Sequence, residues 1–182
     1  GSGLFPLCQR GHLNLYQPFV ERSLSLARPG GRVGLIVPWG FAVDDGASAL
    51  RSALFEAAAV DAVVGFDNAR GLFPIHRGLR FAVVVAQPRS GPRDARATFG
   101  ITTTEEIETL TTSVEEPLPI RLGSEDLMTV GGPTLRIPDL RQADDLEWLL
   151  AIMRAHPALG ATQGWQAQFS RELNATDDRD SF

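Results

Sequence analysis

Three short apolar runs, rich in β-branched residues, limit what this chain can fold into. They are VGLIVP at Val33–Pro38, VDAVVGF at 60–66 and LRFAVVVAQ at 79–87. Runs this short and this apolar suit strands covered on both faces, as in the parallel part of an α/β sheet. Helical patterns separate the first two. Over residues 13–28, Tyr16, Phe19, Val20, Leu24 and Ala27 recur at three- and four-residue spacings. Asn14 is placed to cap that helix, and Pro29-Gly30-Gly31 to stop it. A second helix is predicted over 47–59, opened by Asp44-Asp45-Gly46. Residues 67–78 read as a loop, so the last two strands can form an antiparallel hairpin. The expected result is an open α/β sheet with a reversed strand near one edge.

Beyond residue 87 the pattern changes. PRSGPRDARA, residues 88–97, has two Pro, one Gly and no apolar period, and reads as a linker. A short helix is predicted over 103–110, with Thr103 or Thr104 as its cap. Residues 115–138, with four Pro, read as irregular. An amphipathic helix is predicted over 141–155, with Leu146, Leu149, Leu150 and Met153 inward and His156-Pro157 at its end. The tail from 164 to 182 has no clear period. These features divide the chain into 1–87, a linker at 88–97, and 98–182.

All 17 basic residues are Arg. The absence of Lys excludes, within this chain, the nuclease chemistry of the Asp…Glu-x-Lys type. The net charge is −5, but residues 1–100 carry +4 and residues 101–182 carry −9. The basic excess is densest at Arg70, Arg77, Arg80, Arg89, Arg93 and Arg96. Such local density is what phosphate binding needs, although a solvated Arg-rich surface has the same composition. No apolar run approaches the roughly 20 residues of a membrane span. The lone Cys8 cannot form an internal disulfide, which fits a reducing cytoplasm. The three His fall in no metal-ligand pattern, and no metal is expected. Asp44-Asp45, Asp67-Asn68 and Asp177-Asp178 read as caps and turns.

Two segments carry a family resemblance. GHLNLYQPFVERSLSLARPGGRVGLIVPWG (11–40) and GFDNARGLFPIHRGLRFAVVV (65–85) together resemble the C-terminal half of the catalytic domain of class-gamma N6-adenine DNA methyltransferases. The similarity is to the type IIG restriction–modification and phage-defence enzymes. A weaker likeness, in FSRELNATDDRDSF at 169–182, is to the start of their target-recognition region. The resemblance implies a Rossmann-like S-adenosylmethionine-dependent sheet, here its C-terminal half, followed by a mixed α+β or irregular segment. It implies methyl transfer from S-adenosylmethionine to adenine N6 in double-stranded DNA. Phe19 then matches the aromatic packed on the cofactor's adenine; from periodicity alone it is a core residue of its helix. Phe73, followed by Pro74, matches the aromatic that stacks on the flipped base; without the resemblance it is a loop anchor. His76, Arg77, Arg80 and Arg70 would meet the DNA backbone, or His76 is simply an exposed loop histidine.

The Asn/Asp-Pro-Pro-Tyr/Phe motif and the Gly-rich first strand–turn of that family are not in these 182 residues. No catalytic residue is therefore assigned. The expectation is a piece of a methyltransferase, inactive and prone to associate without the N-terminal half of its catalytic domain. Two alternatives stand beside it. One is a non-catalytic DNA-binding or assembly module; the other is a Rossmann-type methyltransferase acting on RNA or protein.

Overall fold

The first helix forms as α1 (Tyr16–Leu26), and a left-handed Gly30 follows it at φ +76°. A computed structural model describes residues 3–9, 14–88, 90–112 and 118–168. The inward face of α1 is set by Tyr16, Gln17, Val20 and Leu24. Phe19, expected on that face, points away from it and is 71% exposed. At about 100° per residue, a stripe centred on Val20 and Leu24 leaves Phe19 on its outer side. The side chain of Asn14 does not cap the helix; its carbonyl accepts from the Gln17 N–H instead.

β1 (Val33–Pro38) is an edge strand, and only Val37 is fully buried in it. Val33 and Leu35 share the inward face, while Ile36 on the other face is 67% exposed. The expectation of burial on both faces thus fails for β1. It holds better for β2 (Ala59–Asp67) and β3 (Arg80–Gln87), which are interior to the sheet. Between β1 and β2 a short α2 (Gly40–Val43) precedes the expected helix, which forms as one helical run that changes pitch: a 3₁₀ turn at Asp45–Ala47, α3 (Ser48–Ser52) and a π turn at Ala53–Ala57.

The sheet order is β1-β3-β2-β4-β5. β3 runs antiparallel to both β1 and β2, so those two are parallel and β3 lies between them. β4 (Ala95–Ile101) runs parallel to β2, and β5 (Ile120–Leu122) antiparallel to β4. Residues 95–97, assigned by composition to a linker, are therefore the start of a paired strand. Alternating burial along β4 explains how it joins: Ala95, Ala97 and Phe99 face the core, while polar residues separate them.

α4 (Thr104–Thr112) starts with the predicted cap, the Glu106 N–H donating to Thr103 Oγ1 at 3.2 Å. Residues expected to be irregular contain β5, α5 (Ser124–Gly131) and a 3₁₀ turn at Gly132–Thr134. α6 (Ala143–Ala155) forms where predicted, with Asp145 accepting from the Gln142 N–H at 2.9 Å. Leu127, Leu135, Ile137, Leu140, Leu146 and Leu150 join the same buried cluster as Val37, Leu50 and Val63. Apolar burial thus continues across the expected boundary at 88–97. The tail likeness at 169–182, with Asp177-Asp178, lies outside the described residues.

Candidate functional site

The loop after β2 is built around one amide. Asp67 accepts from the Ala69 N–H at 2.9 Å and caps a 3₁₀ turn at Asn68–Arg70. Gly71 leaves that turn in the left-handed region, at φ +77°, which favours glycine. The side chain of Asn68 is fully buried inside the loop. Its Oδ1 accepts from the Phe73 N–H at 2.9 Å. Its Nδ2 faces the carbonyls of Phe73, Ile75 and His76 at 3.2, 3.1 and 3.3 Å. The Asn68 N–H donates to the Leu79 carbonyl at 3.1 Å and closes the base of the loop. The turn-shaping role expected for Asp67-Asn68 is realised by this arrangement.

The loop presents Phe73 at an apolar cleft of about 390 Å³. Ile36 and Pro38 of β1 form one wall; Ile75 of the loop and Arg80 and Phe81 of β3 form the other side. Phe73 is 44% exposed, and its ring meets Phe81 edge-on at 5.3 Å. Phe81 in turn stacks on Phe66 at 4.9 Å with nearly parallel planes. The cleft is thus a fixed aromatic ladder ending in a ring with a free face, at a volume near the lower end for ligand sites.

One cation borders this slot. Arg80 lies over the Trp39 ring at 4.4 Å and pairs with Asp139 at 2.7 Å. Asp139 also reaches Arg141 at 3.4 Å. The Arg80 charge is therefore compensated from the segment that precedes α6. Of the other expected contacts, Arg70, Pro74, His76 and Arg77 are exposed on the same loop. His76 Nδ1 accepts from the Gly78 N–H at 3.1 Å, which folds the imidazole back onto the loop.

Phe19 stands apart. It lines neither the Phe73 cleft nor the narrow crevice between α1 and the sheet. A purine could lie on its exposed ring, but no built pocket surrounds that ring in the cleft or the crevice. Among the described residues, no group of three His, Cys, Asp or Glu side chains gathers to hold a metal ion. No helix among them is long and apolar enough to cross a membrane. Cys8 donates to Glu21 at 3.2 Å, and burial, with Glu21 beside it, pushes its thiol up to about 12.

Ile36, Trp39 and Phe81 belong to the cleft or its support, and sequence reasoning missed their part in it. The strand register brings them together: Pro38 lies opposite Phe81, and Phe81 opposite Phe66.

Residues 5–73 match the model of the Eco57I restriction-modification methylase family. That segment includes α1, β1 and β2 and reaches Phe73. No curated protein matches the chain. Among solved structures, one similar chain is described as a type I restriction-enzyme modification subunit from Vibrio vulnificus. It aligns with a TM-score of 0.48 at 16% identity, over 67% of this chain and 30% of that one. A second comes from work on complex assembly and conformational transition of a type I restriction–modification system. It has a TM-score of 0.46 at 15% identity, over 100% of this chain and 38% of that one. The chain spans less than two-fifths of the length of either. The resemblance to restriction–modification methyltransferases read from the sequence accords with the family match over 5–73.

Proposed function

We propose that this chain is part of a DNA methyltransferase of the restriction–modification class. In this reading the parent transfers a methyl group from S-adenosylmethionine to adenine N6, within a target site on double-stranded DNA. The target base leaves the duplex and stacks on Phe73, with Pro74 beside it. A base inside the helix is out of reach, so extrusion onto an apolar face is the physical requirement. The carrying observation is the half-exposed Phe73 ring, held by an ordered loop at the mouth of an apolar cleft. Adenine as the base and N6 as the acceptor rest on the resemblance alone.

In this reading the chain's own residues position the base. Phe73 covers one face, and the walls from β1 and β3 offer apolar surface beside it. Arg70 and Arg77, with His76, flank the ring and meet phosphate, while Arg80 braces the wall against Trp39. S-Adenosylmethionine supplies the methyl group when bound; Phe19 is the one described residue offered to it. The rest of that site, and the catalytic motif, are proposed to come from the N-terminal half of the catalytic domain, working with this chain in the cytoplasm.

The test uses a duplex carrying 2-aminopurine at the target base, whose fluorescence is held down by its stacked neighbours and rises when the base leaves them. The chain is expected to raise it, and Phe73→Ala to weaken that binding about tenfold or more. Equal binding by Phe73→Ala, with loss only in an Arg70→Ala, Arg77→Ala double variant and a steep salt slope, would replace base capture by a backbone-contact module.

A further inference from the structure

We infer that Asn68 is the positioning residue that sets the pose of Phe73; this rests on the reading of Phe73 as the stacking ring. Asn68 holds both backbone groups of residue 73, accepting from its N–H and donating toward its carbonyl. One short side chain therefore restrains both peptide units flanking the Phe73 Cα. The same amide reaches the next turn of the loop through the carbonyls of Ile75 and His76. The ladder between β2 and β3 ends at the pair Asp67 and Arg80, so it does not order residues 69–79. Phe73 itself touches one aromatic neighbour, edge-on, and is half exposed. The direction of its ring consequently follows its backbone, and its backbone follows Asn68.

The chemistry requires an amide at this position. Aspartate would place a carboxylate against three carbonyl oxygens and supply no donor. Leucine or alanine would leave the Phe73 N–H and the Ile75 carbonyl without the partner they have, while the Phe73 and His76 carbonyls would keep only their bonds from the Ile75 and Leu79 N–H groups. Because the loop is exposed, those groups can turn to water. Loss of Asn68 therefore loosens the loop before it unfolds the sheet. Holding a reacting or stacking group in one geometry before its ligand arrives is how such a residue acts without touching substrate.

The experiment is amide hydrogen exchange on the 182-residue chain and its Asn68→Ala and Asn68→Asp variants, read together with binding of the 2-aminopurine duplex. Exchange at Phe73 is expected to rise about tenfold or more in Asn68→Ala, with amides of β2 and β3 unchanged. Asn68→Asp keeps an acceptor for the Phe73 N–H and loses the donor to the carbonyls. Binding of the 2-aminopurine duplex should fall in both variants toward the level of Phe73→Ala although the ring is present. Unchanged exchange at Phe73 in Asn68→Ala overturns the inference, as does an equal rise across β2 and β3, which would make Asn68 a general stability residue. If Phe73→Ala weakens binding and the Asn68 variants do not, base stacking survives and the positioning role is lost. If Phe73→Ala leaves binding unchanged, base stacking fails, and exchange at Phe73 still decides whether Asn68 holds it.

Discussion

Arg51 of α3 donates from Nε to the Thr134 carbonyl at 2.8 Å, across 83 positions of sequence. Its Nη1 donates to the carbonyls of Phe41 and Asp44 at 2.7 and 2.9 Å. The side chain is fully buried, and desolvation pulls its pKa below the ordinary arginine range. Three carbonyls from two separate segments thus take one guanidinium as their common donor, which ties the crossover after β1 to the turn after α5.

Removing that donor should cost more than any surface charge in the chain. Arg51→Ala leaves three carbonyls short of a partner and opens a side-chain-sized void. We expect a loss of about 3 kcal/mol, measured by urea unfolding. Arg51→Lys should recover only part of it, since one ammonium cannot reproduce the planar fork. A change in Arg51→Ala within about 0.5 kcal/mol, as for ordinary surface sites, would contradict the tie.

Gly65 in β2 is required by close packing. A Cβ there would lie 2.6 Å from Phe99 Cδ1 and 3.1 Å from Trp39 Cζ3. Gly65→Ala should destabilise by about 1–3 kcal/mol through overpacking. It should also shift Trp39, and with it Arg80 at the cleft wall. Thermal unfolding with tryptophan fluorescence reads both effects; an unaltered melt and spectrum would mean that the rings yield freely.

Phe73 and Phe81 should separate by stability. Phe81 is 8% exposed and stacked on Phe66, so Phe81→Ala should cost about 3–5 kcal/mol. Phe73→Ala removes a ring that is half in solvent, and about 1 kcal/mol is expected. Equal costs in chemical denaturation would mean that Phe73 is a core anchor.

The Cys8 thiol gives a pH signature. Its pKa is pushed up from 9.0 to about 12, first by burial, then by the hydrogen bond and charge of Glu21. A raised pKa means that the unfolded chain loses this proton first. The contribution to stability is therefore full below pH 9 and declines as pH rises toward 12. The stability difference between the native chain and Cys8→Ala should shrink over that window. Iodoacetamide at pH 8 should label the folded chain far more slowly than the unfolded one. Rapid labelling of folded protein would show that the thiol is neither buried nor held.

The cleft was only partly legible in the sequence. Phe73 could be singled out because a Phe-Pro between glycine and an apolar strand has few core partners of its own. The capping of α4 was legible because capping is local, decided within four residues. The helix over 47–59 was legible from its spacing; that it ends at Ala57 and that Arg51 within it reaches Thr134 were not, because the partner lies far away in sequence. β1 was misread as doubly buried because an apolar run does not say which strand becomes an edge. β4 was hidden by the composition of its approach, where Pro and charge obscured the alternation that starts at Ala95.

Local chemistry by itself determined which segments could be helix or strand, where they stop, and that Phe73 would sit in a turn-bounded loop. Period, caps and breakers act over a few residues and need no tertiary partner. Only the tertiary structure decided that β3 lies between β1 and β2, that Pro38 faces Phe81, and that Asn68 is buried under the loop it orders. Strand order and register are set by burial summed over the whole sheet, a quantity that no window of the sequence contains.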